Sequence, residues 1–316
     1  MNDWEEDRHK LMKAIVQEVT SLGDTFTLKG GTALLMGYKL SRFSEDLDLD
    51  AKRSLDIRKS IQKAAEQCGI TPEEIILKKD TATTKRYMLH YGGSQEGKEY
   101  PLKIECSLRQ ASSINEEDVT IIDGMRIYKI HKLANQKTEA LSGRDKARDI
   151  YDVHFLLKNH PQAFSDEALA RLQTVLQEKG VNDLCQIYES DQDILLRNSD
   201  STKIVLEIEQ TVSQLLEKKQ KVEKLLNKGA ERNYLLFARE ILAKNNGLSG
   251  KELDMEVAKK MLVAGNDTVR IQEAIGKYSP EIAGKSPADI SSYKAGIIKQ
   301  ALTPEFKKEM CRNLKR

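Results

Sequence analysis

Two stretches of this chain carry reactive side chains at spacings that chemistry can use. In the first, Gly30-Gly31-Thr32 opens a short helical segment, and the chain then runs Asp46-Leu47-Asp48-Leu49-Asp50. Side chains alternate along a strand, so residues 46, 48 and 50 share one face and Leu47 and Leu49 the other. Two carboxylates that close repel, and one titrates high unless a cation shares the site. Hard divalent cations take oxygen ligands, and Mg²⁺ binds through one or two carboxylates plus substrate phosphates. Asp46 and Asp48 therefore read as a clamp for Mg²⁺ or Mn²⁺. Paired glycines between strand and helix let a backbone approach a ligand closely, and the N–H groups of a helix start favour an anion. Gly30, Gly31 and Thr32 thus read as a phosphate cradle beside the metal clamp, an arrangement suited to a nucleoside triphosphate. A third acid, Glu105 in Lys103-Ile104-Glu105-Cys106, would complete a three-carboxylate set if its strand pairs beside residues 46–50.

The second stretch is IHKLANQKTEALSGRDKARDIYDVHFLL, residues 130–157. On a helix Lys137, Leu141 and Arg144 share a face, which suits a positive wall for a triphosphate. Asp149 and Asp152 are three apart, so both can face inward.

The elements around these stretches follow from periodicity. Apolar residues Trp4, Leu11, Ile15, Val19 and Leu22 predict a helix over 3–22. Strands are predicted at 26–28, 46–50, 85–91 and 100–108, with GGSQEGKE as a hairpin turn between the last two. Shorter strands fall at 118–122 and 125–128 around Asp123-Gly124. Residues 54–68 return to helix, and Pro72 sits at the start of a further turn. From Ile130 onward nearly everything reads as helix. Val205, Ile208, Val212, Leu215, Val222 and Leu226 keep 3-4 spacing, interrupted by Lys219; both a helix packed on its own domain and a short coiled-coil arm fit. NKGAERN, residues 227–233, reads as a linker. The chain is thus α+β over about 130 residues, with an all-helical half after it. Three parts are expected: a core over 1–160, a helical extension over 161–228 and a small helical module over 229–316.

Composition narrows the function. Of 316 residues 32% are charged and 39% apolar, enough for a core and against global disorder. Aromatics at 5% argue against a stacking platform for single strands. The net charge of +2 gives no global basic field, so any nucleic-acid binding rests on a local patch. No apolar run approaches the roughly 20 residues of a membrane span, and the start lacks a signal peptide's apolar core. Cys68, Cys106, Cys185 and Cys311 are scattered without CxxC, as expected of free thiols in a cytoplasmic protein. No His pair has zinc-site spacing.

GGTALLMGYKLSRFSEDLDLD resembles the signature of the nucleotidyltransferase superfamily built on the DNA polymerase β palm. Its Arg-x-Ser-x-Asp-x-Asp form, with Arg42, Ser44, Asp46 and Asp48, resembles the AbiEii/AbiGii toxin family, nucleotidyltransferases of abortive-infection and MenT-type systems. The second block matches the same family through Lys137, Arg144, Arg148, Asp149, Tyr151 and Asp152. The resemblance implies a polymerase-β-like mixed sheet. It implies that Asp46 and Asp48 hold Mg²⁺, with Glu105 a weaker third ligand. Gly30, Gly31 and Thr32 would seat the phosphates, with Arg42 beside them and Ser44 supporting the turn. Lys137 and Arg144 would meet the triphosphate. Asp152 would be the second active-site acid, with Asp149 anchoring Arg144 or Arg148, although either acid fits either place. It further implies nucleoside monophosphate transfer from an NTP to RNA, with the tRNA 3′ end as acceptor, and a cognate antitoxin of winged-helix type. A small-molecule or protein acceptor, or a scaffold role in a mobile-element complex, would suit the same chain. Residues 269–302 are similar to helical modules of conjugative relaxase and mobile-element proteins.

Overall fold

The computed structural model describes residues 3–92, 94–95, 98–99, 101–191, 196, 199–245 and 247–307. The chain divides into two units, residues 1–215 and 216–316.

The first unit is built on a seven-stranded mixed sheet. Its strands are β1 (Phe26–Lys29), β2 (Leu47–Ala51), β3 (Pro72–Thr81), β4 (Thr84–Tyr91), β7 (Leu102–Ser107), β8 (Val119–Ile122) and β9 (Met125–Tyr128). A separate two-residue ladder, β5 (Ser94–Gln95) with β6 (Lys98–Glu99), lies between β4 and β7 in the chain. The sheet order is β3-β4-β7-β2-β1-β9-β8. β2 pairs antiparallel with β1 and parallel with β7, so the acidic strand is central. Leu28, Leu47, Leu49 and Ile104 are fully buried. Helices α1 (Asp3–Thr20) and α3 (Arg58–Gln67) pack on each other and on the sheet, burying Leu11, Ile15, Val19, Ile61 and Ala64. Helix α2 (Gly30–Tyr38) follows β1 directly, and α4 (Ile130–Gly143) packs on α2, α5 (Ala147–Asn159) and α6 (Asp166–Ser190).

The Asp123-Gly124 turn forms as expected. Asp123 has φ +49° and Gly124 φ +76°, the two left-handed residues that a tight hairpin matched to the strand twist requires. Three expectations change. The acidic strand begins at Leu47, with Asp46 in the loop before it. Pro72 starts the ten-residue strand β3 rather than a turn; β3 is an edge strand, where a proline's missing N–H costs no ladder bond. Residues 227–233 are no linker but part of α7 (Ser201–Lys244). Gly229 is carried there because Ala230 and Tyr234 bury into the second unit's core, and packing outweighs a glycine's roughly 1 kcal/mol helix penalty. Early in α7, Val205, Ile208 and Val212 are buried while Leu226 is exposed, so the first half packs on its own unit. The tip of the GGSQEGKE turn, the Val222 side chain and Cys311 lie outside the described residues; Cys68, Cys106 and Cys185 are free thiols.

The second unit joins the end of α7 to α8 (Gly250–Val263), α9 (Thr268–Tyr278) and α10 (Pro287–Ala301). Ser249 opens α8 with a capping box to Glu252. Inside the unit, the fully buried Asp254 accepts from Tyr234 (2.5 Å), Tyr293 (2.6 Å) and Ser279. Burial and the Asp254 carboxylate both push the two tyrosine hydroxyls' pKa values up. One carboxylate thus ties α8 to α7, to α10 and to the α9 C-cap. Asp254→Ala would leave the buried Tyr234 and Ser279 hydroxyls and the half-buried Tyr293 hydroxyl unpaired, a loss of roughly 3 kcal/mol. Hydrogen exchange on the intact chain is expected to show about 10²-fold lost protection in α8–α10, with the sheet amides of the first unit unchanged.

Candidate active site

The strand registers align four charges across one face of the sheet. Lys29 on β1 stands opposite Asp48 on β2, Asp48 is level with Glu105 on β7, and Glu105 is opposite Arg86 on β4. Asp46 and Asp50 flank Asp48 on the same face. Cations hold this crowded row together. The Lys103 ammonium lies 2.5 Å from Asp46 Oδ2, Lys29 lies 2.5 Å from Asp50 Oδ1, and Arg86 donates twice to Glu105 Oε2 at 2.9 and 2.6 Å. Tyr128 donates to Asp50 Oδ2 at 3.0 Å.

The titration of these groups follows from their surroundings. Burial pushes the Asp48 carboxyl up, and Asp46 and Glu105 add to it against Lys103 and Lys29. Burial also works against the Lys103 ammonium, but Asp46, Asp48 and Glu105 outweigh it and raise its pKa. Burial would raise Glu105 too; Arg86 outweighs that and holds it below the usual range.

The glycine turn is shaped by the same row. Gly30 has φ +72°, and a Cβ there would come within 3.2 Å of Asp48 Oδ2. A Cβ on Gly31 would meet Arg42 Nη2 at 2.9 Å and Ser44 Oγ at 3.0 Å. Lys29 at the N-cap makes no side-chain cap bond, which leaves the first N–H groups of α2 for an anion. The Thr32 hydroxyl pairs with Ser44 Oγ (2.9 Å) and with the Asp46 carbonyl, tying the helix start to the metal-clamp loop. Arg8 adds a bond from Nε to the Glu45 carbonyl (3.0 Å), and Arg148 pairs with the Glu45 carboxylate (3.0 Å).

Beneath this lies the second block. Asp152, fully buried, accepts both Arg42 Nε and Nη2 at 2.7 Å and lies 2.7 Å from Lys137 Nζ. Burial opposes its charge, but Lys137 and Arg42 overcome that and hold its carboxyl below the usual range. Asp149 takes Arg144 at 2.6 and 3.1 Å and Lys137 at 3.3 Å.

A cleft of about 530 Å³ opens between the sheet row and α4, within the size range of ligand sites. Gly30, Gly31, Asp48, Glu105, Lys137 and Arg144 line it. Thr32, Arg42, Ser44 and Asp152 are not among its lining residues; their side chains are buried and hold the turn and Lys137 in place. Asp46 sits at the neighbouring strand entry under the Lys103 ammonium. The wall also includes Lys29, Asp50 and Arg109, which sequence reading passed over. Asp50 continues the alternation, and Lys29 directly precedes the glycines. Lys103 was visible only as a neighbour of Glu105.

A divalent cation fits Asp46 and Asp48: both offer hard oxygen ligands, burial chiefly pushes Asp48 toward protonation with Asp46 and Glu105 adding to it, and Lys103 already stands in as the cation on Asp46. Glu105 is turned to Arg86, and among the described residues no three His, Cys, Asp or Glu side chains gather as a metal-binding group. The expected three-carboxylate set is not assembled here.

The family model described as "Nucleotidyl transferase AbiEii toxin, Type IV TA system" matches residues 14–246. This chain belongs to that family. Two solved structures agree with the assignment. One, from H. pylori and assigned as a nucleotidyltransferase, is 34% identical with a TM-score of 0.62, over 70% of this chain and 99% of its own. JHP933 from Helicobacter pylori is 33% identical with a TM-score of 0.64, over 72% and 98%. No curated protein matches. Residues 249–301 match the model described as "RepB DNA-primase C-terminal helical domain". The AbiEii chain is therefore a nucleotidyltransferase with an all-helical module after it. Among the described residues no helix is long and apolar enough to cross a membrane.

Asp152→Asn in this AbiEii protein would leave the buried Arg42 without its counter-charge and Lys137 with Asp149 alone, a cost of about 3–5 kcal/mol. Because the folded-state pKa of Asp152 is depressed, its contribution is present above the unfolded carboxyl value, about 4, and is lost as pH falls through the lower folded value. Urea melts at a series of pH values are expected to show that acid-side loss in the wild type and a smaller slope in the variant.

Proposed function

We propose that this AbiEii enzyme is a divalent-metal-dependent toxin that moves a nucleoside monophosphate from an NTP to a hydroxyl of RNA, with the tRNA 3′ end as acceptor. The observation that carries this reading is the opposition, across one cleft, of an acidic row and a glycine turn on one side to Lys137 and Arg144 on the other. The uncapped start of α2 at Gly30 and Gly31 receives phosphate oxygens. Lys137 and Arg144 balance the triphosphate charge, with Lys137 held in place by Asp152. Asp46 and Asp48 would hold Mg²⁺ or Mn²⁺, which when bound stabilises charge on the transferred phosphoryl group and acidifies the attacking hydroxyl. The acceptor oxygen bonds to the α-phosphorus, the bond to the bridging oxygen breaks, pyrophosphate leaves, and the hydroxyl proton is released to water. The match of residues 249–301 to a DNA-primase helical module supports a nucleic acid as acceptor. A cognate antitoxin, of winged-helix type, would restrain the resulting growth arrest in the cytoplasm.

The direct test supplies purified protein and labelled NTPs with separate pools of tRNA, protein and aminoglycoside. Label is expected in tRNA, with pyrophosphate released and activity abolished by chelation. Asp46→Ala and Lys137→Ala are each expected to lower transfer by roughly 10²-fold or more and to relieve growth arrest. Full transfer and toxicity in either variant would end this assignment. Label in the protein or aminoglycoside pool instead would reassign the acceptor.

A further inference from the structure

The two units share charge unequally. Residues 216–316 carry 21 Lys and Arg against 13 Asp and Glu, net +8, while residues 1–215 carry 30 against 36, net −6. The near-neutral total conceals one acidic unit and one basic unit.

Much of the positive excess lies on one line. At 100° per residue, positions 218, 221, 225, 228, 232, 235 and 239 of α7 fall in a strip about 100° wide. They are Lys218, Lys221, Leu225, Lys228, Arg232, Leu235 and Arg239, every one exposed. Ala230 and Tyr234, on the opposite side of the helix, are buried in the unit's core, so the strip faces outward. Between Lys218 and Arg239 it contains no carboxylate; Glu217 stands at its N-terminal edge. Three cations off the strip are paired within the unit: Lys277 with Glu231, Lys260 with Glu240, and Arg270 with Asp267. Five cations therefore extend over roughly 32 Å at 1.5 Å per residue.

We propose that this strip is the docking surface for the acceptor, binding the phosphate backbone of a duplex RNA stem; it rests on the reading of RNA as acceptor. A nucleic acid repeats negative charge along its whole length, which matches cations strung along a rod. A helix lying on a bilayer separates leucines from lysines onto opposite faces, whereas here they share one face. Leu225 and Leu235, 68% and 50% exposed, stand between the cations, where the wide, shallow minor groove of A-form RNA presents ribose surface.

The test is the full chain with Lys218→Glu, Lys221→Glu and Lys228→Glu together, titrated with a fluorescent hairpin RNA over a series of salt concentrations. The wild type is expected to bind with an affinity that falls steeply with salt. The triple variant is expected to bind at least ~10²-fold more weakly at low salt, with the log–log salt slope reduced by about 3. Its KM for RNA should rise while kcat at saturating RNA stays that of the wild type. Asp46→Ala should keep hairpin binding and lose transfer. An unchanged salt slope in the triple variant, while the wild type transfers nucleotide to RNA, overturns this surface and leaves the RNA-acceptor reading intact. Wild-type binding to phosphatidylserine vesicles but not to the hairpin also overturns it. Transfer only to protein or a small molecule, with no hairpin binding, overturns the acceptor reading and the surface with it.

Discussion

Carboxylates on neighbouring strands at the same level cannot move apart, because the ladder bonds that join the strands fix their spacing. Asp48 and Glu105 are held in this way, with Asp50 further along β2 and Asp46 in the loop just before it. Much of what surrounds them answers that repulsion. Arg86 and Lys29 close the row at its two ends, and Lys103 enters from β7 onto Asp46. Glycine suits the position after β1, since φ there is +72° and a Cβ would stand 3.2 Å from Asp48 Oδ2. The site is a local excess of negative charge that the fold prevents from relaxing, and a doubly charged cation is the natural complement to it.

The same arrangement separates residues that meet a ligand from residues that hold those in place. Asp152 is the centre of the second group. It joins Arg42, from the loop after α2, to Lys137 on α4. Arg42 in turn packs beneath Gly31. Through one buried carboxylate the glycine turn and the basic wall are joined. This also explains why Asp149 and Asp152 looked alike in sequence. Both face inward from α5, but Asp149 points toward Arg144 at the cleft edge and Asp152 into the packed layer below it.

Local patterns were legible where one rule dominated. Alternation marked the acidic strand, paired glycines marked the turn, and Asp123-Gly124 marked a hairpin. The family blocks marked Lys137 and Arg144. What could not be read depended on partners distant in the chain. Glu105 looked like a third metal ligand because its pairing with Arg86, across an antiparallel strand, leaves no trace in the residues around it. Arg42 was read beside the phosphates because nothing local says that Asp152, 110 residues beyond it, covers the guanidinium. Residues 227–233 looked like a linker because Gly and Asn are poor helix formers, and only the buried Tyr234 and Ala230 explain why the helix continues. β3 was missed because an edge strand exposed along much of its length shows little alternation.

The anchor inside the second unit differs in kind from the charge pairs of the first. Asp254 is satisfied by three hydroxyl groups. Mobile ions screen attraction between exposed charges within about 10 Å at 0.1 M ionic strength, but they have little purchase on a carboxylate sealed among neutral donors. The bonds that Asp254 makes are therefore deaf to ionic strength, unlike the exposed pairs Lys277–Glu231 and Lys260–Glu240 that also join helices of the unit. The unit's outer surface can gain or lose charge, through substitution or a changing salt environment, without loosening that anchor.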